Sequence, residues 1–360
     1  MDKFEEQHVF TEIMSDDESN PSKVAIFQNN YLVEFICKLG PNVPAIGSVH
    51  VAKICQVFTQ HRLATGELEN GILISIRLSK KKLCSGELVI VTVTSEPWQE
   101  KPPRAVLGAQ LSGRYIILLP DNPDINRVSN RSILKDKSTQ SLKKEISEQV
   151  PKNFGFIIRR QALKSQKKLI KNEIKILLSD WRNNAEFPIK LNLISKPKKL
   201  YSGISLNKRA QIIAPTAPFR VSSHLSDWHT VFEQLDEACD NKLLTKQQVV
   251  LWFQSTRGLT AIDIDSAGSK MAPTELSAHV SKVVMKQIRL RQISGVVCID
   301  IPRTSRSDRI KFQQSCQDHA LYDIRHPDIH GIGPAGLLEM TISHRHMPLE
   351  DRMTILKSIM

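Results

Sequence analysis

Residues 258–302 read GLTAIDIDSAGSKMAPTELSAHVSKVVMKQIRLRQISGVVCIDIP, and this stretch decides the fold of the C-terminal region of the chain. Apolar and β-branched residues predict strands at 259–264 and 296–301, with an amphipathic helix at 276–291 between them. A strand, a helix and a second strand in this order are long enough for a crossover connection, which makes the two strands parallel. The stretch therefore predicts neighbouring parallel strands in an α/β sheet.

Aspartates close both of these strands. Asp263 and Asp300 occupy the two strand ends, and parallel strands end at the same edge of a sheet, where open α/β sheets bind ligands. Asp265 follows Asp263 at the two-residue period of a strand, so its side chain is predicted to point to the same face. Clustered carboxylates need a hard cation to offset their repulsion, and Mg²⁺ is held by one or two carboxylates plus waters. The pattern predicts a magnesium site.

The alternative is structural. An aspartate that ends a strand can cap the following helix or lie in a loop, and for any single aspartate this role is the more common one. The histidines offer no competing site: His326 and His330 flank a proline, and His344 and His346 lack a third ligand nearby, so exposed loop histidines are predicted. The sequence contains neither a nucleophile-elbow motif nor a glycine-rich phosphate loop of the usual pattern.

Length and composition set the class of protein. A chain of 360 residues is longer than a single compact core usually accommodates, so two or more subdomains are expected. No apolar run reaches the roughly 18 to 20 residues that span a bilayer, and the N-terminus is acidic, which favours a cytoplasmic protein. The six cysteines include no Cys-x-x-Cys pair, which argues against a disulfide framework or a cysteine zinc site.

The net charge of +13 is concentrated in one region of the chain. Residues 151–210 contain fifteen Lys/Arg against three Asp/Glu. Within them, residues 166–181 predict an amphipathic helix with lysines on its outer side. A concentrated basic block favours a polyanionic partner, because neutralising phosphates releases condensed counterions. The alternative is a solvated lysine face with no such partner.

The remaining segments predict mostly β structure in the N-terminal half. Residues 24–38 predict two strands joined at an Asn-Asn turn, and strand-like pieces at 49–57, 71–78 and 87–94 suggest a small barrel.

Three later segments complete the pattern. Residues 113–120 predict a buried strand that proline ends. Residues 188–218 are basic and irregular, with a domain boundary among them, and 227–243 predict a helix.

Several segments in the same order resemble the RNase E/G family. LTAIDIDSA is similar to the family's LTAIDINSA, QIRLRQISG to its QLRLRDLGG, VVCIDI to its LIVIDF strand, and GLLEMT to its motif of the same sequence. These four segments, and two weaker ones upstream, are 259–267, 287–295, 296–301, 336–341, 113–122 and 155–159. The collinear series covers most of the chain.

The resemblance implies an α+β fold of several subdomains. It comprises an RNase H-like piece with an inserted OB-fold barrel and a sensor region for RNA 5′ ends, followed by a DNase I-like α/β catalytic region. The implied ranges are 1–45 for the first RNase H-like segment, 46–100 for the OB-fold RNA-binding insert, 101–195 for the 5′-sensor-like region, 196–245 for the second RNase H-like segment and 246–360 for the catalytic region.

The resemblance also implies site residues. Asp263 and Asp300 match the two aspartates that hold the catalytic Mg²⁺ in this family, while Asp265 stands where the family has asparagine. An ionised aspartate cannot donate the hydrogen bond of that asparagine. Arg159 matches an arginine that binds a 5′ monophosphate, and Arg160 replaces the threonine that follows it. The remaining residues assigned to RNA binding are Lys101, Lys167, Lys168 and Lys171.

The function that follows is a Mg²⁺-dependent endoribonuclease that cleaves single-stranded RNA during rRNA or mRNA processing or decay. The alternative is a non-catalytic RNA-binding accessory protein of the same descent, disabled by the changes at Asp265 and Arg303. The partner is expected to be RNA, through single-stranded regions and 5′-monophosphate ends. No membrane span is expected. The zinc-linked dimer of the family is not expected either, and the oligomeric state stays open.

Overall fold

The computed structural model describes residues 10–78, 82–120, 122–129, 137–186, 194–302 and 304–359. The chain forms two compact units, one of residues 1–39 together with 216–360 and the other of residues 40–215. Both mix helices and sheets, which confirms the α+β class. Among the described helices, none is long and apolar enough to cross a membrane.

The strands of the described residues are numbered in chain order. They are β1 Glu12–Ser15, β2 Lys23–Gln28, β3 Tyr31–Cys37, β4 Val49–Phe58, β5 Leu63–Glu67, β6 Leu73–Arg77, β7 Leu88–Val93, β8 Arg104–Leu107, β9 Leu111–Ser112, β10 Ile116–Pro120, β11 Asn126–Val128, β12 Phe154–Ile158, β13 Lys198–Tyr201, β14 Phe219–Val221, β15 Lys242–Leu244, β16 Val250–Ser255, β17 Leu259–Asp265, β18 Gly295–Asp300, β19 Asp328–Ile332 and β20 Leu337–Ile342.

The α-helices are numbered in the same way. They are α1 Lys137–Ser147, α2 Lys167–Asn184, α3 Leu206–Ile213, α4 His229–Cys239, α5 Pro273–Leu290, α6 Arg306–Ala320 and α7 Leu349–Ile359.

A closed five-stranded barrel lies in the unit of residues 40–215. Its strand order is β4-β5-β6-β8-β7, and β7 pairs back with β4. Closure leaves the barrel no free edge, and apolar side chains fill its interior, including Ile54, Ile74, Ile76 and Val91. The predicted small barrel is confirmed, and its form is consistent with an OB-fold. The strands β5 and β8 were not predicted.

The same unit contains a second sheet, of order β11-β12-β10-β9, with α2 packed beside it. Helix α2 buries Ile170, Ile174, Leu177 and Trp181 at helical spacing. Its lysines face solvent, as the sequence predicts. The prediction of irregular structure at 188–218 is wrong at 198–201, where β13 pairs with β4, and at 206–213, which form α3. Residues 188–193 lie outside the described residues.

In the other unit, the three N-terminal strands and β14 form a sheet of order β14-β1-β2-β3. The turn between β2 and β3 is confirmed, with Asn29 and Asn30 at φ of 50° and 64°, the left-handed conformation that tight hairpins require. The helix predicted at 227–243 is wrong at its end. Helix α4 stops at Cys239, and β15 follows at 242–244.

The C-terminal sheet positions the candidate site. Its order is β15-β16-β17-β18-β20-β19, and only the β17–β18 pair is parallel among its described pairings. Helix α5 makes the crossover between these two strands, which confirms the predicted connection. One face of the sheet packs against α5 and α6 through residues such as Ile262, Ile299, Val284 and Phe312. On the opposite face the side chains at alternate positions are exposed or partly exposed.

Candidate active site

Strand β17 presents two carboxylates on the open face of the sheet. Its sequence alternates, so that Ile262 and Ile264 are buried while Asp263 and Asp265 are exposed. The β17–β18 register makes Asp263 the direct partner of Asp300, which is also exposed. Neighbouring strands lie about 4.8 Å apart. The two carboxylates therefore stand side by side.

This pair fits a hard divalent cation. Neither the Asp263 side chain nor the Asp300 side chain forms a hydrogen bond or a salt bridge with another described residue, and the backbone groups of both residues pair within the sheet. Two exposed carboxylates on neighbouring strands still repel each other through the solvent, and a cation bound between them offsets that repulsion. Mg²⁺ is commonly bound by one or two carboxylates, and water molecules complete its coordination shell.

Asp265 does not complete a three-carboxylate cluster. Its Oδ1 accepts a hydrogen bond of 3.0 Å from the backbone N–H of Ala267, which is an Asx turn at the end of β17. No three His, Cys, Asp or Glu side chains lie close enough together to hold a metal ion, as far as the described residues go. The described residues thus show the Asp263–Asp300 pair, and a role of Asp265 in the site stays a prediction. Arg303 lies outside the described residues.

An aromatic and a basic side chain extend the row of the two carboxylates. Trp252 on β16 is the direct partner of Asp263, and Lys242 on β15 is the direct partner of Trp252. The indole is 39% exposed, and the Lys242 Nζ lies 5.0 Å from its ring centroid. Sequence reasoning missed both residues. In the structure the side chains of β16 alternate, with Leu251 buried and Trp252 exposed, but the continuous apolar run 249–253 gives no signal of this in the sequence.

The histidines are held by local partners. The ring of His330 on β19 contacts Thr341 Oγ1 at 2.7 Å and is exposed. The prediction of exposed loop histidines is wrong for His330, which lies in strand β19, and for His346, which is buried with its Nδ1 at 2.9 Å from Arg352 Nη2. His326 and His344 are half-buried.

Arg159, in the unit of residues 40–215, lies beside a buried glutamate. Burial lowers the pKa of Arg159 to about 10, and the negative charge of Glu173 opposes this shift. Burial raises the pKa of Glu173 to about 7, against three backbone N–H groups that donate to its carboxylate at 2.8–3.0 Å. Sequence reasoning missed Glu173. Its position within the apolar stripe of α2 is the signal that could have found it.

The other basic residues assigned to RNA binding lie at the surface of the same unit. Arg160 is exposed at the start of a short 3-10 turn, and Lys101 is exposed with its Nζ 6.0 Å from the ring centroid of Trp98. The exposed residues Lys167 and Lys171 on α2 both form ion pairs with Glu145. Exposed Lys168 lies on the same helix.

Comparisons with known proteins identify the family of the chain. The chain matches the model of the Ribonuclease E/G family over residues 110–212 and 205–345. These ranges cover more than half of the chain, so the protein belongs to the Ribonuclease E/G family.

Curated relatives carry the same name. Ribonuclease E of Buchnera aphidicola subsp. Schizaphis graminum is 25% identical over 305 residues, which are 74% of this chain and 31% of that protein. Ribonuclease E of Escherichia coli K12 is 24% identical over 304 residues, 73% of this chain and 28% of that protein. Ribonuclease G of Haemophilus influenzae is 21% identical over 301 residues, 74% of this chain and 61% of that protein. The chain thus spans about a third of the ribonuclease E relatives' length.

Proposed function

We propose that the protein is a Mg²⁺-dependent endoribonuclease that cleaves single-stranded RNA in rRNA or mRNA processing or decay. The observation that carries the proposal is the pairing of Asp263 with Asp300 on adjacent parallel strands, at an exposed face. Membership of the family supports the RNA substrate, and the oxygen-donor pair supports the cation.

Each residue of the pair has a defined task. Asp263 and Asp300 would hold the cation on the open face, where an RNA phosphate can reach it from solvent. Bound Mg²⁺ supplies an acidified water and offsets charge that develops on the phosphate. Asp265 assists by holding the chain as it leaves β17, through its bond to Ala267.

RNA affinity would come from basic residues in the unit of residues 40–215. Lys168 and Arg160 are exposed there, and Lys101 lies beside an aromatic ring, a combination that suits phosphates and bases. The barrel is consistent with an OB-fold, a class of folds that includes oligonucleotide-binding domains. Arg159, which lies beside the buried Glu173, is the residue proposed to bind a 5′ monophosphate.

A cleavage assay separates the proposed enzyme from the accessory protein that is its alternative. A single-stranded RNA is incubated with the purified protein in Mg²⁺, in EDTA, and in EDTA followed by excess Mg²⁺. The proposal expects cleavage only with Mg²⁺, with 5′-phosphate and 3′-hydroxyl ends. RNA that is bound but stays whole under all three conditions would establish the accessory protein instead.

A further inference from the structure

The open face of the C-terminal sheet contains one row to which four neighbouring strands each contribute an exposed side chain. Lys242, Trp252, Asp263 and Asp300 are successive cross-strand partners on β15, β16, β17 and β18. Directly paired residues project from the same face of a sheet, and all four are exposed. With strands about 4.8 Å apart, the row runs roughly 14 Å from the ammonium-bearing residue to the second carboxylate.

Trp252 lies outside the core even though its strand neighbours are core residues. Leu251 and Phe253 are buried on the helix-covered face, while 39% of Trp252 is exposed. A tryptophan is among the largest apolar side chains, and leaving it in water forgoes the burial that normally stabilises it. The position therefore suits a ligand with a flat ring more than it suits the packing of the sheet.

The neighbours of Trp252 define the chemistry of that ligand. Lys242 supplies a cation 5.0 Å from the ring centroid, and Asp263 supplies one half of the carboxylate pair on the other side. An aromatic face beside a lysine matches a nucleotide, whose base stacks and whose phosphate carries negative charge. A protein partner would need an extended apolar patch, whereas carboxylates interrupt the apolar residues of this face.

We infer that Trp252 is the stacking platform for a base of the RNA strand beside the phosphate that is cut, with Lys242 contacting a neighbouring phosphate. The inference rests on the proposed function, because it takes the RNA from that proposal. Stacking is independent of base identity, since every base has a π face. Trp252 thus binds the strand beside Asp263 and Asp300.

The first test uses tryptophan fluorescence in EDTA, so that binding is measured without cleavage. An unlabelled, unstructured RNA oligonucleotide should quench the emission of the wild-type protein, and Trp252→Val should lose the quenching that Trp252 contributes. An oligonucleotide of the same length with abasic positions should quench much less, because its phosphates remain while its bases are gone. Equal quenching of the wild type and Trp252→Val would overturn the inference.

The second test uses cleavage kinetics in Mg²⁺. Trp252→Val should raise KM roughly tenfold with little change in kcat, since it removes binding that ground and transition states share. Trp252→Phe keeps an aromatic ring, so its KM should lie close to that of the wild type. Tyr31→Leu is the matched control, because Tyr31 is 48% exposed, has lysines over its ring and belongs to a different sheet. It should change neither readout.

These readouts distinguish a failure of the stacking role from a failure of the proposed function. If the wild-type protein cleaves RNA and Trp252→Val leaves both KM and quenching unchanged, the stacking role is wrong and the proposed function stands. If the wild-type protein cleaves no RNA, the proposed function fails, and the quenching in EDTA still decides whether Trp252 binds bases. Circular dichroism of each variant confirms that the sheet is intact.

Discussion

Asp265 differs from the neighbouring carboxylates because it already has a local partner. Its Oδ1 accepts the backbone N–H of Ala267, and an asparagine oxygen can accept the same bond. We expect Asp265→Asn to retain the turn and to keep or raise Mg²⁺-dependent cleavage, since it removes a negative charge near the pair and supplies an amide donor. The measurement is the cleavage rate over a Mg²⁺ titration. A loss of activity together with a higher Mg²⁺ requirement would instead identify Asp265 as a metal ligand.

Because its pKa is raised, the buried Glu173 makes the free energy of unfolding fall as the pH rises. Burial raises its pKa from 4.5 to about 7, so between these values the folded state holds a proton that the unfolded state releases. The stability of the wild type relative to Glu173→Gln should therefore be greatest below about pH 4.5. It should fall as pH rises to about 7, by on the order of 3 kcal/mol.

The measurement for Glu173 is urea unfolding at several pH values. Fluorescence of Trp181, which is buried in the same unit, reports the transition. A difference between the wild type and Glu173→Gln that does not change across this pH range would contradict the assignment.

At the scale of elements, the basic face of α2 is only partly available to a partner. Lys167 and Lys171 are ion-paired with Glu145, whereas Lys168 is exposed and lies outside those ion pairs. Lys168→Glu should weaken RNA binding for all sequences and reduce the slope of log affinity against log salt by about one. Fluorescence anisotropy of a labelled RNA over a salt series measures both.

A matched control makes the same charge change elsewhere. Lys357→Glu, at an exposed position of α7, should leave the salt slope unchanged. A salt slope that Lys168→Glu does not alter would remove α2 from the RNA-binding surface.

Elements with clear periodicity could be predicted from the sequence, and those that depend on tertiary pairing could not. The β17–α5–β18 crossover follows from alternation and helical spacing in 258–302. Strand β5 has Gly66 in its middle, a residue that weakens the sequence signal for a strand. A Cβ at Gly66 would lie 3.0 Å from Ile76 Cδ1, so the barrel packing explains a residue that the local pattern does not. Strand β13 is basic and resembles a loop until its pairing with β4 is known.

Only part of the candidate site could be predicted from the sequence. The pairing of Asp263 with Asp300 follows from the two-residue period and the parallel connection. The Asx turn at Asp265 depends on the path of the chain after the strand, which spacing alone does not reveal. Trp252 stands in the apolar run VVLWF, which indicates a buried strand, and only the strand register shows that it faces the open side.

At the scale of the whole molecule, the unit that carries the site contains buried ion pairs whose partners depend on each other. Arg289 pairs with Glu34, which joins α5 to β3, and Arg325 pairs with Asp323. Burial raises the pKa of Asp323, but the adjacent Arg325 outweighs this effect and the pKa falls to about 2. Asp323→Asn should lower the free energy of unfolding by roughly 3–5 kcal/mol, because it leaves a buried arginine without its counter-ion.

Asp328→Asn provides the control for this substitution. It is the same change at an exposed position, so it should alter the free energy of unfolding by no more than about 0.5 kcal/mol. Urea unfolding at neutral pH compares the two variants. Equal stability of both would contradict the role of the Asp323–Arg325 pair.

The central claim is that Asp263 and Asp300 together hold the cation for RNA cleavage. Its most direct measurement compares cleavage and RNA binding for Asp263→Asn, Asp300→Asn and Asp328→Asn, the last placing the same change on an edge strand of the same sheet. The first two variants should each lower Mg²⁺-dependent cleavage at least about a hundredfold while RNA affinity stays nearly constant, and Asp328→Asn should match the wild type. Unchanged cleavage by Asp263→Asn or Asp300→Asn would contradict the claim.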